Sequence, residues 1–120
     1  MFKAKGDAAE DLALSWLLAR GLKLVQRNYR VARGPNARGG EIDLVMSDAE
    51  GTLVFVEVRA RASRSHGGAA ASVSAAKQRS LVLAAQHFLS RYPSPPVCRF
   101  DVMAIDDGQV QWLKAAFDAA

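Results

Sequence analysis

Two short apolar runs separated by one long helical segment limit the folds open to this chain more than any other feature. The first run, at about 52–60, is rich in Val and Phe, and the second lies at about 97–105. The segment between them, about 72–91, has apolar residues at helical spacing and ends at three prolines within 93–96. A strand, a helix and a second strand in this order predict a right-handed crossover whose two strands lie parallel in one sheet.

The rest of the chain extends this unit into one small domain, because 120 residues fit a single domain, 1–120. The predicted elements are, in order, helix 7–20, strand 22–31, strand 41–47, strand 52–60, helix 72–91, strand 97–105 and strand 110–113. Asp7 is the predicted N-cap of the first helix, and the Ala-rich tail is expected to fray. The predicted class is α/β, with a mixed central sheet flanked by helices in the order α-β-β-β-α-β-β.

Charge and cysteine content restrict the partners and the compartment. The net charge is +4 and the sequence pI about 9.6, which favours an anionic partner, although many basic proteins bind nothing anionic. The one cysteine, Cys98, cannot form an intrachain disulfide, and no Cys/His spacing resembles a zinc site. The N-terminus lacks the apolar core of a signal peptide, and no stretch reaches the length of a membrane span. We therefore expect a cytoplasmic protein that does not enter a membrane.

One predicted strand carries an acid opposite its apolar face. In the strand at 41–47, strict alternation puts Ile42, Leu44 and Met46 on one face and Asp43 on the other. The next strand is almost entirely apolar. The strands at 41–47 and 52–60 should form an antiparallel hairpin across a tight turn. Asp43 is therefore expected to face the neighbouring strand's own acid.

That neighbouring acid is Glu57, which lies inside the most apolar strand of the chain. A buried carboxylate is costly unless a cation, a metal or water accompanies it. If Asp43 and Glu57 converge across the hairpin, they form an oxygen site suited to Mg²⁺ or Mn²⁺. Such an ion can activate water and neutralise charge on a phosphodiester. The alternative, left equally open by the spacing, is a pair of salt bridges with Arg59 and its neighbours.

Two further charged residues lie on predicted helix faces. Lys77 falls in the middle of the apolar stripe of the second helix, so it needs a carboxylate partner or an opening to a site. Its alternative is a stem that snorkels to the helix edge. Glu10 borders the stripe of the first helix, where it is either a capping partner of Asp7 or a third acid near a metal.

Together these motifs resemble the bacterial YraN family of endonuclease-like proteins. The matching stretches are GDAAE at 6–10, RNYR at 27–30, GEIDLV at 40–45, VFVEVRAR at 54–61, SVSAAK at 72–77 and RFDV at 99–102. The resemblance covers nearly the whole chain. It implies a restriction-endonuclease-like fold, similar to archaeal Holliday junction resolvases, with a D-x(n)-E-x-K metal site.

By this resemblance, Asp43 and Glu57 are metal ligands for Mg²⁺ or Mn²⁺, and Glu10 is an accessory acid. The lysine position of E-x-K is occupied by Arg59, which can offset phosphate charge but stays protonated and cannot act as a base. We expect Lys77 to supply the ammonium group from the second helix instead.

Three functions remain open from the sequence. The first is a metal-dependent endonuclease acting on DNA, with branched DNA as one candidate substrate and with Arg38, Arg61 and Arg64 binding the phosphate backbone. The second is a nucleic-acid-binding module that has lost cleavage through Arg59. The third is a non-enzymatic interaction protein of a DNA-processing complex. Cutting of symmetric junctions would favour a homodimer.

Overall fold

The chain forms a sheet of five strands with two helices. The computed structural model describes residues 5–32, 39–61 and 73–119. Its elements are α1 (Lys5–Ala19), β1 (Lys23–Val31), β2 (Gly40–Ser47), β3 (Leu53–Arg61), α2 (Ala75–Leu89), β4 (Cys98–Asp106) and β5 (Gln109–Phe117). The predicted class and element order are confirmed. Because α1 begins at Lys5, Asp7 lies inside the helix, and its prediction as the N-cap is wrong. Neither of the helices in these ranges is long and apolar enough to cross a membrane.

The sheet is mixed and follows the order of the chain, β1-β2-β3-β4-β5. β3 and β4 are parallel, as expected for strands joined by a crossover through α2, and the other neighbours are antiparallel. The predicted hairpin of β2 and β3 is also present, with Leu44 paired to Val56. Its turn is held by the Asp48 carboxylate, which accepts hydrogen bonds from the backbone of Glu50 and Thr52 at 2.9 and 3.0 Å.

The two helices cover different faces of this sheet and create two apolar cores. In β3, Val54 and Val56 belong to the core under α1, whereas Phe55 belongs to the core under α2. Leu17 anchors α1 and Phe88 anchors α2, and both are fully buried. Alternating burial of this kind is what a central strand covered on both faces requires, and it explains the nearly continuous apolar sequence of β3.

Strict alternation fails in β2 at Asp43. Ile42 packs in the core under α2, whereas Leu44 and Met46 pack in the core under α1, so the single face predicted for these three residues is wrong. At the same level of β1, Asn28, whose two neighbours pair with Ile42 and Leu44, has a left-handed backbone with φ of 53°, a conformation that Asn tolerates. Both strands therefore depart from regular strand geometry at this level.

β5 is longer than predicted. It runs to Phe117, and the ring of Phe117 stacks on Phe100 of β4 with centroids 5.0 Å apart. The buried Asp101 carboxylate accepts hydrogen bonds from Trp112 Nε1 at 2.8 Å and from the Ala115 backbone at 2.9 Å. The prediction that the tail frays after residue 113 is therefore wrong, because these tertiary contacts hold it on the sheet.

Replacing Asp101 with Asn is expected to lower the free energy of unfolding by about 3 kcal/mol, because a buried charge pair would lose one partner. Asp101 has no exposed surface, and Arg99 Nε donates to its carboxylate at 3.0 Å. Urea unfolding measures the change. Asp107→Asn, in the exposed β4–β5 turn, is the control and should stay within about 0.5 kcal/mol of the wild type. Equal effects of the two substitutions would contradict the role of Asp101.

Candidate active site

Asp43 and Glu57 lie where β2 and β3 begin to separate. Cα pairing between these strands runs from Ser47 and Leu53 to Leu44 and Val56. The next residue toward the open end of the hairpin is Asp43 on β2 and Glu57 on β3. In place of a strand carbonyl, the Asp43 carboxylate accepts the backbone N–H of Val58, with Oδ2 at 2.8 Å from the nitrogen. The predicted convergence of the two acids across the hairpin therefore has a structural basis.

The Glu57 carboxyl group is buried in the face of the sheet beneath α2. Only 1% of its surface is exposed. Burial is the largest cause that raises the pKa of Glu57, and the negative charge of Asp43 is the second. Lys77 and Arg59 lower the pKa, but the net result is a value of about 8 instead of the usual 4.5. Burial and the charge of Asp43 thus outweigh the two cations that favour the ionised form of this carboxyl group.

The two oxygens of Glu57 have different surroundings. Arg59 Nη1 lies 3.5 Å and Lys77 Nζ lies 3.6 Å from Oε2. Among the described residues, no hydrogen-bond donor reaches Oε1, which is buried. A buried oxygen without a partner is costly. The Asp43 side chain interacts with that of Glu57 and adds negative potential, so this oxygen is a candidate position for a cation.

Lys77 reaches Glu57 because α2 approaches β2 very closely. A Cβ atom at Gly40 would lie 2.5 Å from the backbone oxygen of Ser80, so a side chain at this position would force the helix away. Lys77 lies one turn before Ser80, near the start of the helix. Ser74 caps that start and accepts the Lys77 backbone N–H at 3.1 Å. The prediction that Lys77 faces the sheet is confirmed, and its partner is a carboxylate.

Glu41 is a site residue that the sequence analysis left without a role. Its carboxylate lies 3.9 Å from Lys77 Nζ and 3.3 Å from Arg30 Nε. Lys77 is therefore shared by Glu41 and the buried Glu57. The sequence contained one signal for Glu41, which is that it is a second acid two residues before Asp43. Only the position of α2 shows that Glu41 contacts Lys77.

Glu10 does not join the two central acids as a third ligand. Its Oε1 atom lies 3.7 Å from Nη2 of Arg27, which also pairs with Asp11 at 2.6 Å. Within residues 5–32, 39–61 and 73–119, no three Asp, Glu, His or Cys side chains gather closely enough to hold a metal ion by themselves. The structure thus brings Glu10 to an arginine of β1, and its accessory role stays a prediction.

Of the three arginines predicted to bind nucleic acid, one lies within the described residues. Arg61 is the last residue of β3, and its backbone pairs with Asp106 of β4. Arg38 and Arg64 lie outside the described residues. Of the predicted cations, Arg59 and Lys77 are the two whose side chains are seen at the carboxylates.

The donor set fits a divalent cation that keeps part of its water shell. Mg²⁺ binds proteins through one or two carboxylates and completes its six positions with water and substrate phosphate oxygens. Asp43 and Glu57 provide two hard oxygen donors of this kind, one of them the partnerless Oε1 atom. The arrangement suits an ion that stays open to a phosphate group rather than one fully enclosed by protein.

The family model described as "Uncharacterised protein family UPF0102" matches residues 9–105, a range that includes every described residue of the site. The chain belongs to this family. The resemblance to the YraN family inferred from the motifs is thereby confirmed, since UPF0102 is that family.

Relatives with the UPF0102 name match the chain along nearly its full length. The UPF0102 protein of Methylibium petroleiphilum is 66% identical over 118 residues, which cover 98% of this chain and 97% of the relative. That of Paracidovorax citrulli is 59% identical, covering 98% of this chain and 84% of the relative. That of Acidovorax sp. is 55% identical, with 98% and 87% covered. The names state family membership and no activity. No solved structure matches the chain.

Proposed function

We propose that this UPF0102 protein is a metal-dependent endonuclease that hydrolyses phosphodiester bonds in DNA. The observation that carries the proposal is the buried Glu57 carboxyl group, which interacts with Asp43 and whose Oε1 atom has no hydrogen-bond partner among the described residues. Two interacting acids with two cations at one of them match the needs of a phosphate substrate and a divalent ion. The net charge of +4 supports an anionic substrate.

Each side chain of the site has a distinct task in this proposal. Asp43 and Glu57 would hold Mg²⁺ or Mn²⁺, which when bound would supply an activated water and positive charge at the phosphate. Lys77 and Arg59 lie together on the Oε2 side of Glu57. From there they can bind phosphate oxygens and offset the charge that develops in the transition state. The guanidinium of Arg59 stays protonated and cannot accept a proton, so we assign it no part in proton transfer. No other side chain of β3 is assigned the role of a base.

The second candidate function is nucleic-acid binding without cleavage. It is favoured by Arg59, which occupies the lysine position of the E-x-K motif. In this case the fold and the cations would still bind DNA, but the carboxylates would serve only as partners of Lys77 and Arg59.

Incubation of a supercoiled plasmid and of a labelled four-way DNA junction with the purified protein tests the proposal. We expect cleavage with Mg²⁺ or Mn²⁺ and none with EDTA. An Asp43→Asn variant purified in the same way should be inactive, which excludes a contaminating nuclease. Salt-sensitive binding of both DNAs without cleavage would replace the nuclease proposal with the binding function.

Lys77→Met is expected to lower the cleavage rate by about a hundredfold, because one cation that offsets transition-state charge is lost. It should also raise the pKa of Glu57 further, since Lys77 is the first of the two groups that lower it. Metal binding at neutral pH should weaken as a result. Rate measurements and Mn²⁺ titration check both effects. Lys23→Met, at the far end of β1, is the matched control, and equal activity of the two variants would refute the role of Lys77.

A further inference from the structure

We propose that Arg30 and Arg79 bind phosphates of the substrate next to the active site, so that the nucleic-acid backbone crosses the end of β1 and the first half of α2. For the class of substrate, this inference rests on the proposed function. It adds a path for the backbone and two residues that neither the motifs nor the family assign.

The first observation is a cleft that opens beside the carboxylates. It has a volume of about 280 Å³ and is lined by Arg30, Gly40, Glu41, Lys77 and Ser80, among others. Lys77 belongs to both places, because its ammonium lines the cleft and lies 3.6 Å from Glu57 Oε2. A phosphate in this cleft would therefore lie on the other side of Lys77 from the candidate metal ligands.

Arg30 is well placed to hold such a phosphate. Its side chain is 72% exposed, and its ion pair with Glu41, with Nε 3.3 Å from Oε2, lies at the protein surface. Exposed ion pairs of this kind contribute little stability, so a phosphate can compete for the guanidinium at small cost. A guanidinium also matches phosphate oxygens with two parallel hydrogen bonds. If a phosphate displaced Glu41 from Arg30, the Glu41 carboxylate would keep Lys77 as its partner.

Arg79 continues the positive path around α2. It lines a second hollow, of about 410 Å³, together with Gly39, Ala76, Ser80 and Leu83. Gly39 and Ser80 line both hollows, so the two are continuous. Arg79 is exposed, and in the described parts of the chain no acid forms an ion pair with it. An exposed arginine without an acidic partner is typical of a phosphate contact.

The balance of charge favours the same path. Along the two hollows lie the cations Arg30, Lys77 and Arg79, and among the described residues Glu41 is the one acid in their linings. The surface is thus positive beside the two central carboxylates, which by themselves would repel a nucleic acid. Positive charge next to an acidic metal site is what guides a phosphate backbone toward it.

The test is fluorescence anisotropy of a labelled DNA duplex, measured in EDTA over a series of salt concentrations. EDTA prevents cleavage, and the cations proposed here bind without a metal. For Arg30→Gln and for Arg79→Gln we expect the negative slope of log K against log[salt] to become shallower by about 0.9, because one phosphate contact is lost. Each variant should also lose roughly tenfold in affinity. Arg30→Lys and Arg79→Lys keep the charge and should keep the slope.

Lys23→Gln is the matched control. Lys23 is exposed on the same strand as Arg30 but pairs with Ser47, about 23 Å away along β1 at the usual rise per residue. Its slope should equal that of the wild type. An equal loss in all three Gln variants, no loss in Arg30→Gln and Arg79→Gln, or absence of wild-type binding would overturn the inference.

Cleavage assays on the same proteins separate this inference from the nuclease proposal. Reduced slopes without any metal-dependent cleavage by the wild type would support the phosphate path and reject the nuclease. Cleavage by the wild type with unchanged slopes in Arg30→Gln and Arg79→Gln would reject the path and leave the nuclease proposal standing.

Discussion

Glu57→Gln is expected to reduce metal-dependent cleavage of DNA by about a thousandfold, a larger loss than the one expected for Lys77→Met. The substitution keeps the shape of the side chain but removes the charge of the carboxylate that holds the partnerless Oε1 atom. A neutral amide binds Mg²⁺ far less well than a carboxylate. Loss of the ion removes both the activated water and the positive charge at the phosphate. Initial rates on a labelled four-way junction measure the effect.

Glu50→Gln is the matched control, because it makes the same chemical change at an exposed position of the β2–β3 turn. It should keep full activity. Calorimetric titration of Mn²⁺ provides a second readout, in which the ion should bind the wild type and Glu50→Gln but not Glu57→Gln. If Glu57→Gln cleaves at the wild-type rate and binds Mn²⁺ as well, Glu57 is not a ligand and the proposed site is wrong.

The metal-free protein is expected to lose stability as the pH rises from about 4.5 to about 8, the interval between the unfolded and folded pKa values of Glu57. Within this interval the unfolded chain has released the Glu57 proton and the folded chain still holds it. The unfolded state therefore binds fewer protons, and the free energy of unfolding falls by about 1.4 kcal/mol per pH unit for this group. Below the interval the contribution is fully present, and above it the loss is complete.

Urea unfolding at a series of pH values measures this slope, and the difference between wild type and Glu57→Gln isolates Glu57 from every other group that titrates. The variant should lack the loss and should be the more stable protein at the alkaline end. Asp43→Asn should move the loss to lower pH, because the Asp43 charge is the second cause of the raised pKa. Parallel profiles for wild type and Glu57→Gln would show that Glu57 titrates normally.

Mg²⁺ should oppose this loss of stability. The ion requires the ionised carboxylates, so its stabilising effect should grow as the pH rises through about 8, and its binding at neutral pH should release a proton. The same unfolding series with Mg²⁺ present checks this expectation. Asp43→Asn should show no added stability from Mg²⁺ at any pH.

Much of the fold could be predicted because its signals are local. The apolar runs of β3 and β4, with a helix between them, indicated a parallel pair, and the structure has this pair, with Glu57 of β3 next to Val102 of β4. The helical stripe that contains Lys77 predicted the side of α2 that faces the sheet. Errors arose where the backbone departs from regular strand geometry, as at Asn28, and where a contact between elements overrules a local pattern, as at Phe117, which is held on the sheet by Phe100.

For the candidate site too, some residues could be identified from local sequence signals and others only from contacts between elements. An acid inside an apolar strand singled out Glu57, and the hairpin spacing singled out Asp43. The involvement of Glu41 could not be predicted, because its contact with Lys77 joins residues 36 positions apart across two elements. The role of Glu10 was left open for a similar reason, since its partner Arg27 lies on another element.

The sequence by itself determined the class of the domain, the order of its elements and the acids Asp43 and Glu57, because periodicity and an out-of-place charge are properties of short segments. Only the tertiary structure decided which oxygen of Glu57 is left without a partner. That outcome depends on the close approach of α2 to β2 at Gly40, which brings Lys77 to Oε2, whereas no hydrogen-bond donor of the described residues reaches Oε1. Distances between side chains on different elements arise only when the elements pack, and no spacing along the chain encodes them directly.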